Sequence, residues 1–384
     1  MATTVNPAVG NSVSLAEKYL PILDEIYERG SMSAILDFAN ADVKWIGANK
    51  VLLYDFTSNG LGDYSRNGGF VMGDNNGSWD SYTLACDRGR AWTVDVMDND
   101  ETLAMQLGSL LGETERRHVV PEVDAYRFAK YAMGAGAHAD ASAVASISNM
   151  ADAVDAGNAV LDEKGVPYEG RILFISPKAY EKLKKNITRY TDNGDKNINT
   201  NVEYYNDLRV IRVPQARFNT AITLAQPSAH DGAGGYSVAG ADINFLIVHP
   251  SAVIQIIKHN APRLFAPEQN KDADGWQFNY RIYHDAFVRK NGKDGIYLSA
   301  GIPATAMSAA SSTASISGTG NATVKISNFQ GSIKATSANT AVCTVEITGD
   351  DHDTVKITGV AEGTANVVVE DSIGQKCTIA ATVS

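Results

Sequence analysis

The sequence predicts an α+β fold followed by a small all-β domain. Between residues 99 and 302, apolar residues at helical spacing alternate with short β-type runs. After residue 303, six short alternating runs follow one another at steps of about ten residues, separated by turn signals. A chain of 384 residues, 44% hydrophobic and 20% charged, has room for two or three folded domains.

The chain begins with a predicted arm. Residues 1–40 contain too few apolar residues for a core, so they must pack elsewhere or stay mobile. Within the arm, Leu15–Tyr27 is predicted to form a short amphipathic helix interrupted by Pro21, and Ser33–Phe38 another helical turn.

A β-rich region with a long glycine-rich loop follows at residues 42–98. Strands are predicted at Lys50–Phe56, Trp79–Leu84 and Ala91–Val96. The segment between the first two, Thr57–Ser78, contains six glycines. Loops of this length are uncommon in compact domains. Two interpretations stay open: a mobile surface hairpin, or an extended arm that lies across a neighbouring subunit.

A long helix with a break is predicted for residues 99–135, because Pro121 forces a boundary or a kink. Apolar residues repeat at helical spacing on both sides of this proline: Leu103, Leu107, Leu110 and Leu111, then Val123, Tyr126, Ala129 and Met133. The charged side chains of the second half are predicted to form a solvated face with i,i+3 and i,i+4 pairs: Glu122, Asp124, Arg127 and Lys130.

Residues 136–245 are predicted to alternate helix and strand around a mixed sheet. A helical stripe from Ile147 to Leu161 ends at Gly165 and Pro167. The other predicted elements are the strand Arg171–Ile175, a helix capped by Ser176 that runs from Pro177 to about Lys185, the strand Leu208–Val213 and a glycine-rich turn at His230–Gly240.

The last 82 residues are predicted to form a small antiparallel β-sandwich after a linker at Pro303–Gly320, which runs into a first strand. Its predicted strands are Ala322–Ile326, Ser332–Thr336, Val342–Ile347, Thr354–Val360, Gly363–Glu370 and Lys376–Val383.

Charge and cysteine usage exclude several classes of protein. A net charge of −11 argues against a dedicated nucleic-acid-binding domain, although not against passive contact with DNA. Cys86, Cys343 and Cys377 lack CxxC spacing and are interpreted as small buried apolar residues, with a pairing of the last two left open. The sequence shows neither a long apolar run nor a secretory signal, so we expect synthesis and folding in a cytoplasm.

No catalytic, cofactor or metal site is predicted, and the chain is not expected to be an enzyme. His284 and Asp285 are adjacent in a predicted strand, so their side chains point to opposite faces. The segments Asn270–Gly275 and Asp192–Asn197 faintly resemble calcium loops but lack the later bidentate glutamate. His249 and His259 flank a predicted strand run and are interpreted as structural.

Residues 15–300 resemble major capsid proteins of tailed bacteriophages, which have the Hong Kong 97-type fold. The resemblance is carried by Val119–Ala132, Arg171–Lys185, Leu208–Phe218 and Ile243–Tyr297. It implies an N-terminal arm at 1–40 and a capsid core at 41–302, which comprises an extended loop at about 50–96, a spine helix at about 100–135, an axial domain at about 140–245 and peripheral strands at about 243–300. Val355–Val367 resembles bacterial immunoglobulin-like domains of group 2, which implies such a domain at 303–384.

The resemblance implies a structural role in the virion. Copies of the chain would assemble in the host bacterial cytoplasm as hexamers and pentamers of an icosahedral head around double-stranded DNA, which they contact non-specifically. Implied partners are a separate scaffold protein, a portal and a maturation protease, with a host-surface glycan as a possible ligand of the outward-facing C-terminal domain and no membrane. Two alternatives stay open: an encapsulin-type compartment shell, and a bacterial surface or adhesion protein.

Overall fold

The computed structural model describes residues 30–37, 44–46, 49–58, 61–67, 70, 72, 75–97, 112–186, 201–227, 232–271, 273–349 and 351–384. The predicted helix Leu15–Tyr27, the first half of the long helix and the segment Asp192–Asn197 lie outside these residues. The chain divides into two compact units, one of Met1–Val120 with Ile254–Asn291 and one of Pro121–Val253 with Gly292–Ser384.

The described α-helices are α1 (Val120–Met133), α2 (Met150–Glu163) and α3 (Pro177–Asn186). The strands up to residue 300 are β1 (Lys44–Ile46), β2 (Lys50–Ser58), β3 (Asn75–Thr83), β4 (Cys86–Asp95), β5 (Ala137–His138), β6 (Ile172–Ile175), β7 (Tyr204–Tyr205), β8 (Leu208–Arg212), β9 (Ile222–Leu224), β10 (Tyr236–Val238), β11 (Ile243–Val248), β12 (Val253–Asn260), β13 (Arg263–Phe265), β14 (Gly275–Val288) and β15 (Ile296–Ala300). The C-terminal strands are β16 (Ser308–Ala309), β17 (Thr313–Ile316), β18 (Asn321–Ser327), β19 (Ile333–Ser337), β20 (Cys343–Thr348), β21 (Thr354–Gly359), β22 (Gly363–Asp371) and β23 (Lys376–Val383). The prediction of mixed helix and sheet is confirmed.

The described residues of the first unit form two sheets. One has the order β1-β2-β3, and in the other β14 pairs with β12, with β13 and, over ten residue pairs, with β4. The three strands predicted in this region are confirmed. The predicted turn at Ser33–Phe38 is present as a 3-10 turn, Ala34–Leu36.

The predicted break at Pro121 takes a different form from a kink at the proline. A π-helical turn, Glu115–Val119, comes first, and the Val120 amide donates to the Glu115 carbonyl. Helix α1 then continues through Pro121. Residues 112–133 are helical without a gap, so Pro121 lies inside the helix, where it lacks the amide of an ordinary residue, and the π-helical turn just before it interrupts the regular hydrogen-bond ladder.

The second unit is built on a six-stranded mixed sheet of order β5-β15-β11-β6-β8-β7. The pairs β6–β8 and β15–β5 are parallel, and the other pairs are antiparallel. Helices α2 and α3 share one apolar core with this sheet. The predicted cap of α3 is present, because the Ala179 amide donates to the Ser176 hydroxyl at 3.4 Å.

One turn prediction in this unit is partly wrong. The glycine-rich segment His230–Gly240 contains strand β10, which pairs with β9. The glycines at the start of the segment favour a turn. The short alternation of Tyr236, Ser237 and Val238 is enough to form three ladder pairs when a partner strand lies alongside.

The C-terminal region consists of two four-stranded sheets, β16-β18-β21-β20 and β17-β23-β22-β19, around a common apolar core. All six strands predicted there are confirmed. The antiparallel prediction is wrong for one pair, since β17 runs parallel to β23. Strands β16 and β17 lie in the predicted linker, and Ala314 and Ile316 of β17 are buried there. Because small residues surround them, the alternation of buried and exposed positions is weak in the sequence.

The cysteines of the described chain are free thiols. Cys86 and Cys343 are buried, as predicted, and Cys377 is half-buried. Cys343 lies on β20 and Cys377 on β23, which belong to different sheets of the C-terminal region. Burial raises the pKa of the Cys377 thiol above its usual value, so this group stays protonated at neutral pH.

Candidate assembly surfaces

A long β-hairpin is the most distinctive surface of the first unit. Strands β2 and β3 pair from Lys50↔Thr83 to Ser58↔Asn75, so that each nine-residue strand spans about 30 Å. Among the described residues, a third strand, β1, pairs only with the root, at Lys50–Leu52. A two-stranded ribbon of this kind is marginally stable in water without a partner. Within the predicted loop Thr57–Ser78, the described strand residues are those at its two ends, Thr57–Ser58 of β2 and Asn75–Ser78 of β3.

The root of the hairpin is anchored in an apolar core. Val51 and Leu53 are buried together with Leu84, Ile254 and Ile256. Because side chains of a strand alternate between faces, the intervening position, Leu52, is only half-buried. Burial stops beyond Leu53, so the core fixes the direction of the hairpin at its base but covers none of the described side chains farther out.

The outer part of the hairpin exposes large apolar side chains. Phe70 is 87% exposed and Met72 is 97% exposed. Aromatic rings pair along the arm, with centroids 5.0 Å apart for Tyr54–Trp79 and 5.0 Å for Tyr64–Phe70. The exposed apolar set is Tyr54, Leu61, Tyr64, Phe70, Met72 and Trp79. A patch of large apolar groups on a soluble surface marks a site of interaction with another molecule.

Two helices of the second unit carry opposite charge. Helix α2 contains four acidic residues and no basic residue: Asp152, Asp155, Asp162 and Glu163. Helix α3 contains four lysines and one glutamate: Lys178, Lys182, Lys184, Lys185 and Glu181. Both helices pack on the same core and expose most of these charges. The exposed face of α2 is therefore acidic, and α3 carries a net positive charge, although its half-buried Lys182 donates to three backbone carbonyls.

The predicted solvated face of the long helix is wrong at two positions. Asp124 and Arg127 on α1 are 0% exposed, whereas Lys130 is exposed, as predicted. Arg217 donates to the Asp124 carboxylate at 3.2 Å. This partner is 93 residues away in the sequence, so helical spacing could not identify it. Helix α1 lies inside its unit, where Phe128 meets Phe174 and Phe218 at centroid distances of 5.0 and 5.2 Å.

Tyr236 lies close enough to the Asp124–Arg217 pair for both charges to act on its hydroxyl. Burial raises the pKa of Tyr236, and the Asp124 charge adds to this while the Arg217 charge opposes it. The Tyr236 hydroxyl donates to the Ala216 carbonyl at 2.9 Å. The group is therefore a neutral hydrogen-bond donor that fixes the turn before β9, and no reactive role follows for it.

The adjacent pair His284 and Asp285 is fully buried on β14. The Asp285 carboxylate accepts the backbone amides of Ala85 and Ala286, each at 2.8 Å. A carboxylate that accepts backbone amides holds a chain segment in place. The structure thus gives Asp285 a positioning role at the turn between β3 and β4.

The other histidines and acidic segments occupy structural positions. His249 caps the turn between β11 and β12, where its Nδ1 accepts the Ser251 amide at 3.3 Å, and burial lowers its pKa. His259 lies in β12. Asp353 pairs with Lys325 at 2.9 Å just before β21.

Over the described residues, no three His, Cys, Asp or Glu side chains cluster as metal ligands would. None of the described helices is long and apolar enough to span a membrane.

No protein-family model matches the chain, and no curated protein matches it. Several solved structures are similar to it. "Capsid structure of the Cyanophage P-SCSP1u" is 13% identical with a TM-score of 0.48, covering 67% of this chain and 85% of that one. "Asymmetric unit of bacteriophage PhiM1 mature capsid" is 13% identical with a TM-score of 0.48, covering 66% and 82%. The virus-like particle from Pyrococcus furiosus is 10% identical with a TM-score of 0.41, covering 74% and 98%.

Proposed function

We propose that the chain is the major capsid protein of a tailed bacteriophage, a non-catalytic subunit that self-assembles as hexamers and pentamers into an icosahedral head around double-stranded DNA. The observation that carries this proposal is the hairpin arm of β2 and β3. Its described residues carry six large apolar side chains that are half exposed or more, and Leu61, Phe70 and Met72 are almost completely exposed. An arm of this kind becomes stable when it lies on another protein surface.

The partner that we infer for the hairpin arm is a second copy of the same chain. The contact is heterologous, since the arm of one copy meets a different surface of the next, and such contacts close into rings and shells when the geometry repeats. The acidic helix α2 and the basic helix α3 support a contact of the same type, because unlike surfaces of neighbouring copies attract each other.

The remaining parts of the chain receive roles from the resemblance. Residues 1–40 would add an arm at subunit contacts, and residues 303–384 would form an outward-facing immunoglobulin-like domain, since a bulky domain inside the head would compete with DNA for space. A host-surface glycan is its candidate ligand. A net charge of −11 fits non-specific rather than dedicated contact with the packaged DNA. A scaffold protein, a portal and a maturation protease would complete the assembly in the host cytoplasm.

The proposal is tested by expressing the full chain alone and together with its genomic neighbours. Sedimentation and electron microscopy would reveal closed or partial shells, and nuclease treatment followed by extraction would measure protected DNA. We expect shells in at least one condition, and protected DNA when the packaging neighbours are present. Monomers in every condition would overturn the assembly role. Shells that retain protein cargo and exclude DNA would favour the encapsulin-type alternative instead.

A further inference from the structure

The turn between β22 and β23 is a rigid structure organised by one buried carboxylate. Asp371 is 2% exposed. Its Oδ1 accepts the amides of Ile373 and Gln375 at 3.1 and 2.8 Å, and its Oδ2 accepts the Gln330 amide at 2.9 Å and the Gln375 side-chain amide at 2.6 Å. The Gln375 side-chain oxygen in turn accepts the Met307 amide at 2.9 Å. Four hydrogen bonds to one carboxylate therefore hold the turn in a single shape.

This turn meets the edge of the six-stranded sheet. The edge strand there is β5, and the chain after it continues along β15, with the Ala139 and Ser142 amides donating to Leu298 and Ala300 at 2.8 and 2.9 Å. The Ala141 amide donates instead to the Gly374 carbonyl of the turn at 3.0 Å. The turn thus supplies an acceptor that a free sheet edge would lack.

The approach of the turn to the edge is so close that it requires glycine. Gly374 has φ +87°, and a Cβ built on it would lie 2.2 Å from the Ala139 carbonyl oxygen and 3.1 Å from the His138 Nδ1. Beside it, a Cβ on Gly331 would lie 2.4 Å from the terminal methyl of Met133. Any larger residue at position 374 would therefore push the turn away from the edge.

Charged and apolar contacts surround the same junction. Lys376 pairs with Asp140 on the sheet side and with Glu370 at 3.4 Å on its own side, and His138 lies 3.9 Å from Glu370. Ile373, at the tip of the turn, is 0% exposed although it stands outside the cluster that fills the C-terminal core. A fully buried isoleucine at a hairpin tip is typical of a tip that is packed against another structure.

We propose that the C-terminal sandwich caps the free edge of the six-stranded sheet and folds with it as one body. The turn Asp371–Gln375 is the cap. In this arrangement the sandwich has a fixed orientation on its subunit, and the edge at residues 137–142 is closed to strand addition by another chain. The inference does not depend on the shell role, because every contact in it lies within one chain.

The test is hydrogen exchange on the unassembled full-length chain, with two glycine variants compared. Gly374→Ala strains the backbone and collides with Ala139, whereas Gly318→Ala, in the same sandwich, meets the same kind of strain at φ +53° with nothing within 4 Å of its Cβ. We expect the amides of residues 137–142 to exchange at least about tenfold faster in Gly374→Ala and at the wild-type rate in Gly318→Ala. Equal rates in both variants would overturn the proposal.

If Gly374→Ala does not fold, reversing the charges of the Lys376–Asp140 pair tests the same proposal. Asp140 and Lys376 are 73% and 42% exposed, so Lys376→Asp leaves the two cores intact. We expect Lys376→Asp to speed exchange at residues 137–142, and the double variant Asp140→Lys with Lys376→Asp to restore protection. Unchanged exchange in the single variant, together with separate unfolding of sandwich and sheet in the wild type, would show two independent domains.

Discussion

The Arg171 guanidinium donates to the Asp162 carboxylate at 2.7 Å, joining the start of β6 to the last turn of α2. The Arg171 side chain is completely buried, whereas Asp162 is exposed. The same guanidinium also donates to the carbonyls of Pro167 at 2.9 Å and Val166 at 2.5 Å, and to Asn158. One side chain thus supplies hydrogen-bond donors to the carbonyls of the loop that connects α2 to the sheet.

Replacing this arginine should weaken the second unit. Arg171→Met keeps the apolar stem but removes the buried donor that joins Asn158, Val166 and Pro167, so we expect a loss of about 3 kcal/mol in the free energy of unfolding. Chemical denaturation measures this loss. Lys290→Met is the matched control, since Lys290 pairs with Asp80 at 3.3 Å while 67% exposed, and it should cost less than about 1 kcal/mol. Similar losses in both variants would contradict the role of Arg171.

A glycine inside α2 is predicted to be required by packing. A Cβ on Gly157 would lie 2.6 Å from two ring carbons of Tyr297. Gly157→Ala should therefore destabilise the unit by about 1–3 kcal/mol, although alanine favours a helix by about 1 kcal/mol. Thermal unfolding measures the change. Adding Tyr297→Leu should recover part of the loss, and a stabilising effect of Gly157→Ala alone would show that the helix is free to shift.

The stability of the second unit should fall at high pH through one tyrosine. Burial, and then the hydrogen bond to Asp155 at 2.9 Å, raise the pKa of Tyr205 to about 12. The contribution of this neutral hydroxyl is complete below the ordinary pKa of about 10 and is lost as the pH rises towards 12. Tyr205→Phe should therefore lose less stability than the wild type between these values. Denaturation curves that fall in parallel for the two proteins would exclude this origin.

The exposed side chains of the hairpin arm should matter for assembly and not for the fold. Because Leu61 and Phe70 make no contribution to the described core, the double variant Leu61→Ser with Phe70→Ser should leave the unfolding midpoint of the subunit unchanged. The same variant should reduce the yield of assembled particles at least about tenfold, measured by sedimentation. The control is Val360→Ser, an exposed apolar residue of the C-terminal region, which should assemble normally.

Local pattern in the sequence was sufficient for most of the strands. Alternation predicts β2, β3 and the C-terminal ladders, and Ser176 and Pro177 mark the start of α3, because these signals lie within a few residues of one another. The burial of Asp124 was beyond such reasoning, since it depends on Arg217, which comes from a distant turn. The parallel pairing of β17 with β23 could not be predicted for the same reason, because only the folded chain brings Thr313 beside Ala380.

The length of the arm and its glycines could be predicted from the sequence. The surface that the arm contacts could not, because that surface belongs to another molecule. The central claim is that the exposed apolar side chains of the hairpin arm, among them Phe70 and Met72, are buried against a second copy. An electron microscopy map of the assembled particle, at a resolution that traces side chains, tests this most directly. The account predicts density for the arm lying on a neighbouring subunit, with Phe70 and Met72 covered. A map in which the arm stays in solvent, or particles never form from the full chain, would contradict it.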